Sequence, residues 1–204
     1  MNIGILGGTF SPIHNAHVNM AVEAYKELNL DKVIIMPLKT PPHKYNIIAA
    51  NHRFNMAKLA TKDYPYIEVS DYELTREGTT YTADTLSMLK RENPDNTYTF
   101  IVGADSFMYM EKWYHPEILF ANAVVGVFKR NGISDEELYN KKTFFENSYN
   151  ARIKLLKTDC INISSSEIRD HIKNRMNRNN NSTDDILSLV PSNVLEYIYN
   201  NALY

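Results

Sequence analysis

The sequence predicts an α/β fold: a parallel sheet with helices on both faces and a small helical part toward the end of the chain. Two observations predict it. Short, near-continuous apolar runs alternate with helical periodicities, and a Gly-Gly turn joins the first run to the first helical pattern. Strands that are apolar throughout are buried on both faces, as in parallel sheets covered by helices. The runs place strands at Asn2–Leu6, Lys32–Pro37, Ile67–Ser70, Tyr98–Val102, Val124–Phe128 and Ile153–Leu156. Helical spacing places helices at His14–Leu28, Asn51–Ala60, Ala83–Glu92, Pro116–Ala121, Asp135–Phe145, Ser165–Asn174 and Ser192–Asn200. Right-handed crossovers make this a Rossmann-like sheet, in which ligands sit beyond the carboxyl ends of the strands where strand order reverses. The Gly7, Lys44, Gly103 and Arg130 segments should converge there. The Asn-rich stretch Asn174 to Asp185 reads as a mobile surface loop between the last two helices.

With 204 residues the chain is expected to form a single domain, residues 1–204, with 159–204 as a C-terminal helical subregion. A net charge of −2 gives no reason to expect nucleic-acid binding through bulk electrostatics. No apolar run approaches the ~20 residues of a membrane helix, and no signal peptide is visible, so a cytoplasmic enzyme without membrane association is expected. The single Cys160 excludes an internal disulfide and fits a reducing compartment. Self-association is left open.

The chemistry concentrates in Gly7-Gly8-Thr9-Phe10-Ser11-Pro12-Ile13-His14-Asn15-Ala16-His17. Strand, glycine turn and helix start meet here. Glycine lets the backbone approach a ligand, and the unpaired N–H groups of a helix start attract anions. Imidazoles three residues apart share one helix face. Together these features read as a phosphate site for nucleotide chemistry. Downstream, Ile163-Ser164-Ser165-Ser166-Glu167-Ile168-Arg169 follows an apolar strand. Its serines are good helix caps. Its hydroxyls, N–H groups and the Arg169 fork would also suit phosphate oxygens.

These two segments resemble the signatures of the nucleotidylyltransferase superfamily. Ser11 stands where Asp is common, Ala16 where Gly is usual, and Ser166 where Thr is usual. Further patterns resemble one branch, the bacterial nicotinate-nucleotide adenylyltransferases: Pro41-Pro42-His43-Lys44, Tyr81-Thr82-Ala83-Asp84-Thr85-Leu86, Ile101-Val102-Gly103-Ala104-Asp105 with Trp113, and Val190-Pro191 through Leu203-Tyr204. The likeness runs in order from Asn2 to Tyr204. It implies transfer of the adenylyl group of ATP to nicotinate mononucleotide, yielding deamido-NAD and pyrophosphate, with Mg²⁺ on the ATP phosphates and no protein metal cage.

The resemblance also implies roles for particular residues. His14, His17 and Arg169 are the expected catalytic residues, with both imidazoles protonated beside the polyphosphate. ATP would be held by Gly7, Gly8, Thr9, Phe10, His17, Gly103, Asp105, Ile163, Ser164, Ser166 and Arg169. Nicotinate mononucleotide would be held by His14, Lys44, Thr85, Trp113, Tyr114 and Arg130. Structural alternatives stand beside these: helix capping for Ser164 and Asp105, core packing for Trp113, a solvated loop position for Lys44. Among functions, pantetheine-phosphate adenylyltransferases, cytidylyltransferases, a nicotinamide-preferring enzyme and a nucleotide sensor without turnover are the rivals.

Overall fold

A computed structural model describes residues 1–39, 47–130, 132–159, 161, 163–178 and 188–204. Its six strands are β1 (Asn2–Gly8), β2 (Lys32–Pro37), β3 (Ile67–Val69), β4 (Thr97–Gly103), β5 (Ala123–Lys129) and β6 (Arg152–Asp159). They form one sheet in the order β3-β2-β1-β4-β5-β6, and every pair is parallel. The chain winds outward from β1 to β3, then returns to the other side of β1 and winds outward again. Strand order therefore reverses between β1 and β4, where Ile5 faces Phe100 and the strand ends at Gly8 and Gly103 diverge. The Rossmann-like expectation holds in strand content and direction.

The helices are α1 (Asn15–Glu27), α2 (Ala50–Thr61), α3 (Thr82–Glu92), α4 (Ala104–Phe107), α5 (Pro116–Asn122), α6 (Asp135–Tyr149), α7 (Ser165–Arg178) and α8 (Ser192–Asn200). They sort into two layers. On one face, α1, α2, α7 and α8 bury Ala21, Ala24, Met56, Ala57, Ile168, Ile172, Val194 and Ile198 with Val33, Ile35 and Ile101 of the sheet. On the other, Leu86, Phe107, Leu119, Phe120 and Phe145 cover Ile3, Ile5, Phe100 and Val102. Each fully buried large side chain contributes on the order of 1.5–3 kcal/mol. That packing fixes the strand ends that carry the site.

Several boundaries differ from the sequence reading. Gly7 and Gly8 continue β1 rather than forming the turn, because Gly8 O accepts from the Leu38 N–H and the β2 register runs on to Pro37. The turn begins at Thr9. The last strand extends to Asp159: as an edge strand it pairs with β5 alone, so Lys154, Lys157 and Asp159 can face outward. Helix α7 runs to Arg178, so the first residues of the expected Asn174–Asp185 loop are helical; residues 179–187 lie outside the described residues. Met and Arg are good helix formers and sustain that extension once Ile168 and Ile172 anchor the helix. Helix α4 and a 3-10 turn at Met110–Lys112 were not foreseen, since so few residues leave little periodicity.

One glycine is required by close approach. A Cβ on Gly8 would lie 2.7 Å from the ring of Phe10, itself 1% exposed and held at φ 51°. Gly8→Ala should therefore cost about 1–3 kcal/mol through overpacking, read as a lower urea midpoint at unchanged slope.

Candidate active site

A cavity of about 800 Å³ opens beyond the carboxyl ends of the strands. Gly7, Gly8, Thr9, Phe10 and His17 form one wall, Ser164, Ser166 and Arg169 a second, and Trp113 and Tyr114 a third. Ten residues singled out in the sequence thus share one space. Thr80, Tyr81 and Thr82, at the uncapped start of α3, line it as well.

The loop after β1 is fastened by three side chains from α2 and α7. Thr9 O accepts from Arg53 Nη1 at 2.9 Å, Ser11 O from Arg169 Nη1 at 2.8 Å, and Pro12 O from Ser165 Oγ at 3.0 Å. Ser11 Oγ pairs with Tyr204 Oη at 3.1 Å. Tyr204 is a neutral phenol, since burial pushes its pKa up to about 12. The first loop and the Ser/Arg turn are therefore one rigid unit, although they lie 158 residues apart at Ser11 and Arg169.

In that turn Ser164 Oγ accepts from the Glu167 N–H at 3.2 Å, and the Ser164 N–H donates to the Glu167 carboxylate at 2.8 Å. This is a reciprocal capping box, so the structural role of Ser164 is real and coexists with a place on the cavity wall. The hydrogen bonds from Ser164 hold the Glu167 carboxyl below the usual carboxylate range. Ser166 Oγ accepts from Arg169 Nη2 at 3.1 Å and so steers the guanidinium. Ile163 is buried and serves packing rather than the cavity surface.

The two histidines separate in role. His14 is the N-cap of α1 and its backbone N–H donates to His17 Nδ1 at 3.3 Å. With Nδ1 accepting, the ring N–H of His17 is Nε2. The rings lie 3.7 Å apart. His14 is 3% exposed, off the cavity wall, and its Nδ1 has no hydrogen-bond partner among the described residues. Burial, reinforced by the Arg130 charge and opposed by Glu167, holds its pKa down at about 4. With no polyphosphate beside it, His14 is held in its neutral form at pH 7, because burial disfavours the cation.

Four further residues singled out in the sequence, Thr85, Arg130, Gly103 and Asp105, are not on the cavity lining. Thr85 does not line the cavity; it is 2% exposed and donates to Glu73 Oε1 at 2.7 Å while accepting from Arg76 Nη1 at 3.0 Å. Thr80 donates to the other oxygen of Glu73 at 3.0 Å. Thr85 thus braces the start of α3 from within, and burial raises the Glu73 pKa against these bonds. Arg130 forms an ion pair with Asp105 of α4. Gly103 is the N-cap of α4 and Asp105 lies within that helix, both outside the cavity lining. Lys44 lies outside the described residues.

The aromatic wall has a defined geometry. Trp113 meets Phe100 edge-on at 6.0 Å, and Tyr114 stacks on Tyr81 at 4.2 Å. Sequence reading missed Arg53, Glu73 and Thr80. A lone Arg in a helix and a Glu in a loop have no periodic signal; only their burial distinguishes them.

A sequence model of the cytidylyltransferase-like family matches residues 5–171. A probable nicotinate-nucleotide adenylyltransferase of Lachnoclostridium phytofermentans is 37% identical over 204 residues, covering 99% of this chain and 98% of that protein. One from Clostridium beijerinckii is 40% identical over 207 residues, covering 98% of each. The chain belongs to the nicotinate-nucleotide adenylyltransferase family. It is an enzyme of the nucleotidyltransferase class. The Plasmodium falciparum nicotinic acid mononucleotide adenylyltransferase complexed with NaAD superimposes with a TM-score of 0.82 at 23% identity, over 100% of this chain and 97% of that one. At that identity the likeness shows the fold this adenylyltransferase shares. No helix among the described residues is long and apolar enough to cross a membrane.

The His14 environment has a stability consequence. Below about 6.5 the unfolded chain takes up a proton that the folded protein refuses until about pH 4. A penalty on the order of 3 kcal/mol should therefore accumulate as pH falls through that window. Denaturation midpoints of His14→Gln against wild type between pH 7.5 and 4 should show a flatter slope in the variant.

Proposed function

We propose that this cavity joins ATP to nicotinate mononucleotide, releasing deamido-NAD and pyrophosphate as a step of NAD biosynthesis. The carrying observation is the one cavity that unites the fastened loop, the Ser/Arg turn and the Trp113–Tyr114 wall. The relatives' shared name supports nicotinate as the ring.

The mononucleotide phosphate attacks the α-phosphorus of ATP in line, and pyrophosphate leaves from the opposite side without a covalent enzyme intermediate. That phosphate is anionic near neutral pH, so no strong base is needed. Catalysis is positioning plus stabilisation of charge on the leaving group. His17, through Nε2–H, and Arg169 meet the transferred and leaving phosphates. Gly7, Gly8, Thr9 and Phe10 receive the adenylyl group, and Ser164 and Ser166 the distal phosphates. His14 contributes as a neutral cap whose backbone N–H holds His17. Asp105 serves the adenosine ribose beside Gly103, with Arg130 balancing its charge. Lys44 serves the mononucleotide phosphate.

Trp113 and Tyr114 frame the pyridine ring, and the N–H groups starting α3 take its carboxylate. Mg²⁺ would enter with the ATP phosphates, keeping much of its water and sharing their charge. The proposed compartment is the cytoplasm, where a lone thiol such as Cys160 stays reduced.

Pyrophosphate release with ATP, Mg²⁺ and nicotinate mononucleotide tests the reading. Turnover is expected, and the nicotinamide counterpart should be used less well; binding of both substrates without release would instead mark a sensor. His17→Ala should lower kcat by about 10²–10³ in the same assay, and near-wild-type turnover would reassign it. Trp113→Ala should raise the KM for the mononucleotide with that for ATP little changed, whereas equal damage would mean packing.

A further inference from the structure

We propose that Arg53 is a positioning residue of the phosphate loop, holding the Thr9–Phe10 peptide from behind so that the Phe10 N–H is presented to a phosphate oxygen of ATP. This rests on the reading that ATP occupies the cavity.

Arg53 sits in the second turn of α2 and is 1% exposed. Its guanidinium donates to three backbone carbonyls: Thr9 O at 2.9 Å, Lys39 O at 3.0 Å and Ile48 O at 3.2 Å. Among the described residues no carboxylate pairs with it. An arginine stays charged at neutral pH even where burial opposes it, so a cation is locked behind the loop with only dipoles around it. A buried charge without a counter-ion is costly unless something else uses its field. Lys39 and Ile48 adjoin the lining residues Leu38 and Ile47 in sequence, and the third carbonyl belongs to the loop itself.

The peptide geometry gives that arrangement direction. In a trans peptide the N–H points opposite to the C=O. Thr9 C=O faces Arg53, which is off the cavity wall; Thr9 and Phe10 are on it. The Phe10 N–H therefore faces away from Arg53, and it donates to no described residue. The left-handed φ of 51° at Phe10 keeps this turn distinct from the strand before it. A charged donor on the carbonyl also polarises the peptide and strengthens the N–H as a donor. The fixed amide and the buried cation together favour an anion on the cavity side without Arg53 touching it.

Wild-type ATP binding and turnover are measured first, then those of Arg53→Met, Arg53→Lys and Arg53→Ala, each checked for cooperative thermal unfolding. Arg53→Met should raise the KM for ATP about tenfold, with kcat and the mononucleotide KM within about threefold. Arg53→Lys should recover part of the loss. Arg53→Ala should regain ATP affinity in millimolar guanidinium, saturably, and not in methylammonium. An unchanged KM for ATP, equal damage to both substrates, or no rescue would overturn the role. If no variant folds, nitrogen-labelled wild type decides: the Phe10 amide proton should move downfield on adding ATP, and an unmoved resonance overturns the proposal. If wild type neither binds nor uses ATP, the proposed function falls and this role with it. If wild type does both while folded Arg53→Met matches it, only the role of Arg53 falls.

Discussion

Everything at the site depends on where the carbonyls of the loop after β1 point. Thr9 O, Ser11 O and Pro12 O are each taken by a donor from α2 or α7. A backbone turn offers both signs of dipole, and an anion is repelled by exposed carbonyls as strongly as it is drawn to amides. Occupying these carbonyls offsets their repulsion of an anion in the cavity. The constraint is tertiary, since the donors come from helices on opposite ends of the sequence.

The same bonds explain why a neutral cap suits His14. A cationic His14 ring, stacked 3.7 Å from His17, would be repelled by Arg130. Burial removes that conflict. The positive character of the site is then held by Arg169 on the wall and Arg53 behind it, which keep their charge across the neutral range. Phosphoryl-group transfer needs such preorganised charge more than it needs a titrating base. On the far wall, Glu73 plays a comparable internal part. Its carboxylate gathers the Thr80 and Thr85 hydroxyls and stands beside Arg76, so the start of α3 is braced while its own N–H groups stay uncapped.

Much of the fold was legible because its signals are local. Apolar runs such as Val33–Met36 and Phe100–Val102 need two covered faces wherever they sit, and the helices cover them on both. The helix Ser192–Asn200 was read to its bounds, since Val194 and Ile198 repeat on one buried stripe. Short elements such as α4 were invisible for the converse reason: four residues complete barely one turn. Edge strand β6 was underestimated because its charges read as a strand end, when solvent on one edge merely permits them.

The sequence alone determined the residues on the cavity wall: Gly7 through Phe10, His17, Trp113, Tyr114, Ser164, Ser166 and Arg169 were all legible as motif members, and they meet. Motifs report residue type and spacing, which is enough to say what chemistry a wall can offer. Only the tertiary structure decided the charge on His14, the inward turn of Thr85, the pairing of Arg130 with Asp105 and the place of Arg53. Each of these depends on burial and on a partner distant in the chain. Desolvation and long-range pairing are properties of the packed molecule, and no window of sequence contains them.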